Sequence, residues 1–278
     1  MNIQIIQIPY DSGHKIMRSG LGPDKFLQHE LDKILRANGH DVSIQRIESK
    51  NPFATEIGTT IELNRLLSER VKLARESGKF PLILAGNCNS SLGTIAGIGQ
   101  DPLGIVWLDA HGDFNTPETT LTGFLDGMGL AMAAGKCYRT LVGSIPGFRP
   151  VCGDNIVHIG GRDLDREEEK LMEQSRVVLI PAPESNELAV ADAFEKLNKN
   201  VNRIYLHIDI DVLDTGEARA NAFASPGGLL VDDVINIIAI AREKFEVCAA
   251  AITSFAPEYD KNNTVVLAGI RLIEALVA

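Results

Sequence analysis

Residues 104–113 read Gly-Ile-Val-Trp-Leu-Asp-Ala-His-Gly-Asp, a continuous apolar run followed directly by three side chains that can bind metal. A short apolar run of this kind is typical of a strand that is buried on both faces of a parallel sheet. The same arrangement recurs at residues 204–211, which read Ile-Tyr-Leu-His-Ile-Asp-Ile-Asp. Ligands of such sheets bind outside the carboxyl ends of the strands. We therefore expect both polar clusters to lie at one edge of one sheet.

The rest of the chain alternates short apolar runs with longer amphipathic stretches. Strands are predicted at Ile3–Ile8, Val42–Ile47, Pro81–Ala85, Gly104–Asp109, Ile156–Gly160, Val177–Ile180, Ile204–Ile210 and Val247–Ile252. Helices are predicted at Pro23–Leu35, Ile57–Ser77, Asp165–Gln174, Asn186–Leu197, Val231–Lys244 and Asn263–Val277. This order predicts one three-layer α/β/α domain over residues 1–278, with a mostly parallel central sheet and helices on both faces.

The composition argues against several classes of protein. The 278 residues are 45% hydrophobic, which is enough for a sizeable core. A net charge of −10 and the lack of a basic block argue against binding to nucleic acid or to an anionic membrane surface. No apolar run reaches the roughly 18 residues that a membrane span requires. The cysteines are scattered without paired spacing, and the start of the chain does not resemble a signal peptide, so we expect a cytoplasmic protein.

The polar clusters at the strand ends predict a metal centre. Asp109, His111 and Asp113 occupy alternate positions, as do Asp209 and Asp211, and alternate positions of extended backbone point to one side. Carboxylates with one imidazole suit Mn²⁺, with Zn²⁺, Fe²⁺ or Ni²⁺ as alternatives. Two ions about 3.5–4 Å apart would share a water and lower its pKa. The alternative, that these acids cap helices or lie in solvated loops, is less consistent with their joint position after two apolar strands.

Three longer segments carry a family resemblance. They are Trp107-Leu-Asp-Ala-His-Gly-Asp-Phe-Asn-Thr-Pro117, Gly160-Gly-Arg-Asp-Leu-Asp165 and His207-Ile-Asp-Ile-Asp-Val-Leu-Asp214, and Pro9–Pro23 looks like a matching Gly-rich first loop. The chain resembles the ureohydrolases, the superfamily of arginase, agmatinase and formimidoylglutamase. The resemblance implies an arginase-like fold and hydrolysis of a C–N bond in a small guanidino or amidino amino acid, by attack of metal-bound hydroxide.

The same resemblance assigns the metal ligands by position. Asp109 and Asp209 would bridge two manganese ions, His111 and Asp211 would complete one ion, and Asp113 would serve the other and so take part in catalysis. The remaining ligand of that second ion is usually a His, and Cys88 stands in its place.

Two roles are possible for Cys88 at the position of this ligand. A thiolate is softer than imidazole and would favour Zn²⁺ or Fe²⁺ over Mn²⁺. The alternative is a small buried thiol beside a weakened or absent second ion.

Other departures from the family pattern concern the substrate. Asp126 occupies the position of the arginase proton shuttle, and Ser254 that of the acidic residue expected to clamp the guanidinium. A carboxylate with its ordinary pKa of about 3.9 is a poor acid at neutral pH. Both changes argue against plain arginine and favour a less basic guanidino group, such as that of N-hydroxyarginine. The branch that cleaves hydroxyarginine is similar in its Cys and in the run Asp-Phe-Asn-Thr-Pro-Glu-Thr-Thr.

Recognition of an amino acid is implied by further matches. Asn115 and Thr120 match positions that hold the substrate α-carboxylate, whereas Asp163 and Glu168 match positions near its α-amino group. These residues are also good turn and cap formers. His207 is predicted to be a buried residue that could orient a ligand.

Two alternative functions remain open for this chain. They are a hydrolase of another guanidino or formimino acid and a non-catalytic member of the superfamily that binds metal or an amino acid. The family also implies a possible homo-oligomer.

Overall fold

The computed structural model describes residues 1–51, 55–99 and 102–278. Within these ranges, an eight-stranded sheet forms the centre of the molecule. Its strands are β1 (Asn2–Ile8), β4 (Asp41–Arg46), β5 (Phe80–Ala85), β6 (Gly104–Leu108), β7 (Ile156–Ile159), β8 (Val178–Ile180), β9 (Arg203–Asp209) and β10 (Glu246–Thr253). A two-stranded hairpin, β2 (Tyr10–Asp11) and β3 (His14–Lys15), follows β1. Every neighbouring pair in the large sheet is parallel, which confirms the predicted fold class.

Helices cover both faces of this sheet. They are α1 (Gly22–Gln28), α2 (Leu31–Ala37), α3 (Glu56–Glu76), α4 (Ser91–Ile98), α5 (Gly129–Ala133), α6 (Arg139–Val142), α7 (Arg166–Gln174), α8 (Glu187–Asn198), α9 (Val231–Lys244) and α10 (Thr264–Val277). One apolar core lies between the sheet and α1, α2, α8, α9 and α10, and a second lies between the sheet and α3 to α7. The alternation of strand side chains between two faces produces these two cores. None of the described helices has the length and apolar character needed to cross a membrane.

The order of the strands explains why distant parts of the sequence meet. The sheet runs β4-β1-β5-β10-β9-β6-β7-β8, so β5, β10, β9 and β6 lie side by side at its centre. Since these strands are parallel, their carboxyl ends form one edge. Asp209 is the last residue of β9, and the segments that follow β5, β10 and β6 carry Cys88, Ser254 and Asp109. The predicted convergence of the polar clusters is therefore confirmed.

The predicted helix Pro23–Leu35 is wrong, because the chain forms two helices there. Glu30 adopts a left-handed conformation with φ of 61° between α1 and α2. In one continuous helix, Phe26 and Leu31 would lie about 140° apart around the axis. The break allows both side chains to be buried in the same core.

Helix α4 was not predicted, and its composition explains why. All eight of its residues are buried, so it lacks the polar face that reveals an amphipathic helix. The short helices α5 and α6 and the hairpin of β2 and β3 were also not predicted. The other predicted strands and helices match the structure to within one residue at each end.

Candidate metal centre and active site

Five of the predicted ligands meet at the carboxyl edge of the sheet. His111 Nδ1 lies 3.4 Å from Asp109 Oδ1 and 3.4 Å from Asp211 Oδ2. Asp109, Asp209 and Asp211 are almost completely buried, and Asp113 is buried beside them. Ligand atoms of Asp109, His111 and Asp211 all lie within 4.8 Å of one another. The cluster therefore has the spacing of a metal-binding group.

The backbone brings these side chains together by tight turns and not by continuing as strands. The Asp109 carboxylate accepts a hydrogen bond of 2.8 Å from the backbone N–H of His111, and Asp209 accepts one of 2.9 Å from that of Asp211. Asp113 has a φ of +49°. The expectation of extended backbone in these two motifs is therefore wrong, although the convergence that it predicted is observed. Asp and Asn favour such side-chain-to-backbone turns.

Gly112 is required by the close approach of a second loop. A Cβ atom at Gly112 would lie 2.5–2.9 Å from the carboxylate atoms of Glu168. That carboxylate accepts hydrogen bonds from the backbone N–H groups of Phe114, at 2.7 Å, and Asp165, at 3.1 Å. Glu168 thus joins the start of α7 to the loop that carries Asp113. Burial raises its pKa to about 7, against the effect of these two donors.

The electrostatics of the cluster fit a divalent cation. Burial raises the pKa of Asp109, Asp113 and Asp209, and the neighbouring carboxylates raise it further. Burial opposes protonation of His111, but Asp211 and Asp109 outweigh it and raise the pKa to about 11. Asp113 Oδ2 is buried and has no hydrogen-bond partner among the described residues. Several buried acids and an acceptor without a donor form an environment that a cation would satisfy.

Cys88 belongs to the same cluster. Its thiol donates to Asp209 Oδ2 at 3.0 Å, and its sulfur also lies 3.1 Å from Thr253 Oγ1 and 3.4 Å from Ser254 Oγ. Burial, together with the charge of Asp209, raises the pKa of the thiol well above its usual value. The sulfur lies within 4.8 Å of ligand atoms of Asp109 and His207. Its position is therefore compatible with a metal ligand.

Asp126 holds the segment around Cys88 in place. Its Oδ2 accepts hydrogen bonds from Asn87 Nδ2, at 2.7 Å, and from the Cys88 backbone N–H, at 3.1 Å. Its Oδ1 accepts one of 2.9 Å from the Asn89 backbone N–H. Burial raises the pKa of Asp126 to about 7, although these donors lower it. Both carboxylate oxygens are thus engaged in shaping the turn that precedes α4.

Large side chains of β6 and β9 pack next to the cluster within the sheet. They are Trp107, His207 and Tyr205. Trp107 Nε1 donates to Asp109 Oδ2 at 3.0 Å. Trp107 pairs with His207 in the register of β6 and β9, and their rings stack with centroids 3.6 Å apart. Tyr205 lies below, with its hydroxyl 2.8 Å from His207 Nδ1. Burial holds the pKa of His207 well below its usual value. His207 is therefore buried two residues before Asp209 on the same face of β9, as predicted.

Arg162 fixes the loop that follows Asp209. Its guanidinium donates to the backbone carbonyls of Asp211, at 2.8 Å, and of Leu213, at 3.2 Å. It also donates to the carbonyls of Val212, Gly160 and Ser225. A planar cation with five N–H donors can connect several carbonyls at once. The Gly160–Asp165 motif therefore stabilises the loop that carries the candidate ligand Asp211, and its Asp163 and Asp165 line the cavity.

A cavity of about 610 Å³ opens onto the cluster. All the predicted site residues line it except Asp109, which is completely buried. Asn115, Thr120, Asp163 and Glu168 are among the lining residues, and Ser254 lines the cavity directly after β10. The structure thus brings together the residues predicted to bind metal and those predicted to bind substrate.

Some residues that contact the predicted site residues were themselves not predicted. Asn87 donates to Asp126, Asp165 accepts a hydrogen bond of 3.0 Å from Asn115 Nδ2, and Asn221 Nδ2 donates to Asp211 Oδ2 at 3.1 Å. Thr253 contacts Cys88. The positions of Asn87, Asp165 and Thr253 directly beside strand ends or motifs could have revealed them. Asn221 lies in a long loop and offers no comparable signal.

Comparison with known proteins agrees with this geometry. The family model described as "Arginase family" matches residues 1–278. The arginase of Bacillus subtilis (strain 168) is 28% identical over 288 residues, which cover 99% of this chain and 97% of the relative. The arginase of Brevibacillus brevis is 27% identical, with the same two coverages. A crystal structure of the Bacillus subtilis arginase superposes with a TM-score of 0.90 at 26% identity, covering 100% of this chain and 99% of that one. The match over the full chain shows that this protein belongs to the arginase family, whose members are amidinohydrolases that cleave C–N bonds.

Proposed function

We propose that this protein hydrolyses a C–N bond in the guanidino group of an amino acid, with N-hydroxyarginine preferred over arginine. The observation that carries the proposal is the convergence of Asp109, His111, Asp113, Asp209 and Asp211 beside a cavity that is also lined by the positions predicted to bind an amino acid. Their oxygen-rich set supports Mn²⁺ as the ion, and Cys88 would shift the preference of one site toward Zn²⁺ or Fe²⁺.

The ligand residues would hold the ions, and the rest of the cavity would hold the substrate. Divalent ions in this cluster would lower the pKa of a water molecule and polarise the guanidino group. The water oxygen adds to the central guanidino carbon, the bond from that carbon to one nitrogen breaks, and the nitrogen leaves as an amine after gaining a proton. Asn115 and Thr120 would orient the α-carboxylate, while Asp163 and Glu168 would lie near the α-amino group.

Two side chains support a substrate less basic than arginine. Ser254 offers a neutral hydroxyl where a carboxylate would pair with a full positive charge. Asp126 has both oxygens occupied by the donors of residues 87–89, so it is poorly placed to carry protons. Arginine itself stays protonated up to a pH above 12, and N-hydroxylation makes the group less basic. A site without a charged clamp therefore favours the hydroxylated substrate.

A panel of substrates tests this proposal. The Mn²⁺-loaded enzyme should show a higher kcat/KM on N-hydroxyarginine than on arginine, agmatine or formiminoglutamate, with product release measured for each. Ser254→Asp should raise the relative activity on arginine, whereas the neutral Ser254→Asn should not. A clear preference of the wild type for plain arginine would refute the assignment. Asp109→Ala should abolish turnover of every substrate.

The cellular setting is a smaller part of the proposal. All four cysteines are free in the structure, which supports a reducing compartment such as the cytoplasm. The family resemblance supports a homo-oligomer, and sedimentation analysis of the purified protein would test it.

A further inference from the structure

A column of hydrogen-bonded side chains leads from the centre of the sheet to the sulfur of Cys88. The hydroxyl of Tyr205 lies 2.8 Å from His207 Nδ1, and His207 Nε2 lies 3.2 Å from Thr253 Oγ1. Thr253 Oγ1 in turn lies 3.1 Å from Cys88 Sγ. Tyr205, His207 and Thr253 have no exposed surface, and Cys88 is 1% exposed. Each hydrogen bond of the column is therefore shielded from water. A buried polar group that lacks its hydrogen bond destabilises the folded protein.

The direction of these hydrogen bonds follows if Cys88 binds metal as a thiolate. A thiolate sulfur only accepts hydrogen bonds, so the Thr253 hydroxyl must donate to it. The oxygen of Thr253 is then free to accept from the Nε2–H of a neutral His207 imidazole. The other ring nitrogen, Nδ1, accepts from the hydroxyl of Tyr205. Every donor in the column then points toward the sulfur, and the Thr253 hydroxyl gives up its longer contact of 3.4 Å with the Ile208 carbonyl.

The stacking of His207 gives the column its rigidity. The imidazole lies against Trp107 with ring centroids 3.6 Å apart and an interplanar angle of 13°. Trp107 donates to Asp109, a neighbour of Cys88 in the cluster. One aromatic layer therefore supports two adjacent positions of the cluster. With a partner on each ring nitrogen and Trp107 on one face, His207 is suited to orient a ligand through Thr253.

We propose that His207 and Thr253 are positioning residues that fix the direction of the Cys88 sulfur toward the metal centre. The inference rests on the proposed function, because it takes Cys88 to be a metal ligand. It adds a physical reason for the direction of the Cys88 sulfur. Asp126 fixes the backbone of Cys88 by hydrogen bonds, whereas the Thr253 hydroxyl contacts the ligand atom itself. Loss of the hydroxyl should therefore change metal binding at the sulfur without removing any ligand.

Cobalt provides a probe that reports on the sulfur directly. Wild-type protein loaded with Co²⁺ should show a thiolate-to-cobalt charge-transfer absorption band that disappears in Cys88→Ser. Thr253→Val keeps the shape of the side chain but lacks the hydroxyl, so it should alter this band and weaken Co²⁺ binding by about 10- to 100-fold. Thr253→Ser keeps the hydroxyl and should retain both the band and the affinity. Circular dichroism would verify that each variant is folded.

Further variants separate the proposal from its rivals. His207→Gln offers an amide N–H close to the position of Nε2 and should retain more of the band than His207→Leu. In the Cys88→Ser background, Thr253→Val should have much less effect on affinity, because the atom that the hydroxyl contacts has been replaced. A Thr253→Val protein with the wild-type band and affinity would overturn the proposal. So would a His207→Gln protein that loses affinity while Thr253→Val does not, since this pattern indicates direct ligation by His207.

The outcome also distinguishes this inference from the proposed function. Wild-type protein that hydrolyses guanidino substrates but shows no charge-transfer band would refute the role of the column and leave the hydrolase intact. A band without any hydrolysis in the substrate panel would refute the function and leave the column intact.

Discussion

Replacing Asp113 by Asn should stabilise the metal-free protein and destabilise the metal-loaded one. Asp113 is buried, its pKa is raised well above the usual value by burial and by Asp109, and its Oδ2 has no partner among the described residues. An asparagine removes the charge and supplies two N–H donors to a cluster rich in acceptors. With Mn²⁺ present, the same change would remove one of the proposed ligands.

The expected change in the free energy of unfolding follows from the general cost of burying a polar atom without a partner. A buried polar atom without a partner costs about 1–3 kcal/mol, and the variant should recover up to that amount in chelator. For a chain of this length, that corresponds to a rise of about 2–10 °C in the melting temperature. Bound metal at a thousandfold excess over its Kd stabilises the wild type by about 4 kcal/mol, and the variant should lose much of this gain.

The pH dependence provides a second check on Asp113. Because its pKa is higher in the folded state, the folded protein holds this proton more tightly than the unfolded chain does. The resulting destabilisation is absent below the ordinary carboxyl pKa of about 4 and grows as the pH rises above it. The advantage of the variant in chelator should therefore increase from pH 4 toward neutrality.

Differential scanning fluorimetry with chelator and with Mn²⁺ would measure these effects. Asp163→Asn is a matched control, because it removes an exposed carboxylate from the same cavity and should leave the melting temperature nearly unchanged. An Asp113→Asn protein that melts below the wild type in chelator at pH 7 would refute the reasoning.

Three further substitutions test the supports of the site. Trp107→Phe removes the donor to Asp109 Oδ2 and should weaken Mn²⁺ binding about tenfold or more in calorimetry, with unchanged circular dichroism. Asp126→Asn places an amide nitrogen against backbone donors and should lower the free energy of unfolding by about 1–3 kcal/mol in urea. Turnover of N-hydroxyarginine should persist in this variant. A stable variant without turnover would instead identify Asp126 as a proton carrier. Lysine lacks the planar guanidinium that connects several carbonyls, including that of Asp211. Arg162→Lys should therefore lower the free energy of unfolding by about 2–3 kcal/mol in the same assay.

Much of the fold and of the cluster could be predicted from the sequence because strong local patterns carry them. The strand β6 is a continuous apolar run and β9 is mostly apolar, and the metal-type residues Asp109 and Asp209 stand at their ends. A parallel sheet then places both ends at one edge. The break at Glu30 could not be predicted in this way, because it depends on burial of Phe26 and Leu31 in a core that forms only in the folded chain.

The parts of the site that the sequence did not predict are hydrogen bonds between distant segments. Asp126 was matched to a proton shuttle by its position, and its contacts with residues 87–89 depend on how two loops pack. The same holds for Asn221, which reaches Asp211 from a loop without regular pattern. His207 was predicted to be buried because it lies deeper along its strand than Asp209, but its link to Cys88 through Thr253 requires the neighbouring strand β10.

The central place of β10 has a consequence for biosynthesis. This strand is synthesised after the other seven, yet it lies between β5 and β9. Until it inserts, β5 and β9 each expose an unpaired edge, and such edges promote association between incomplete chains. Because Thr253 belongs to β10 and Ser254 follows it directly, a nascent chain that ends before residue 246 contains the acidic candidate ligands but lacks both of these residues. Insertion of this late strand therefore both closes the sheet and completes the candidate active site.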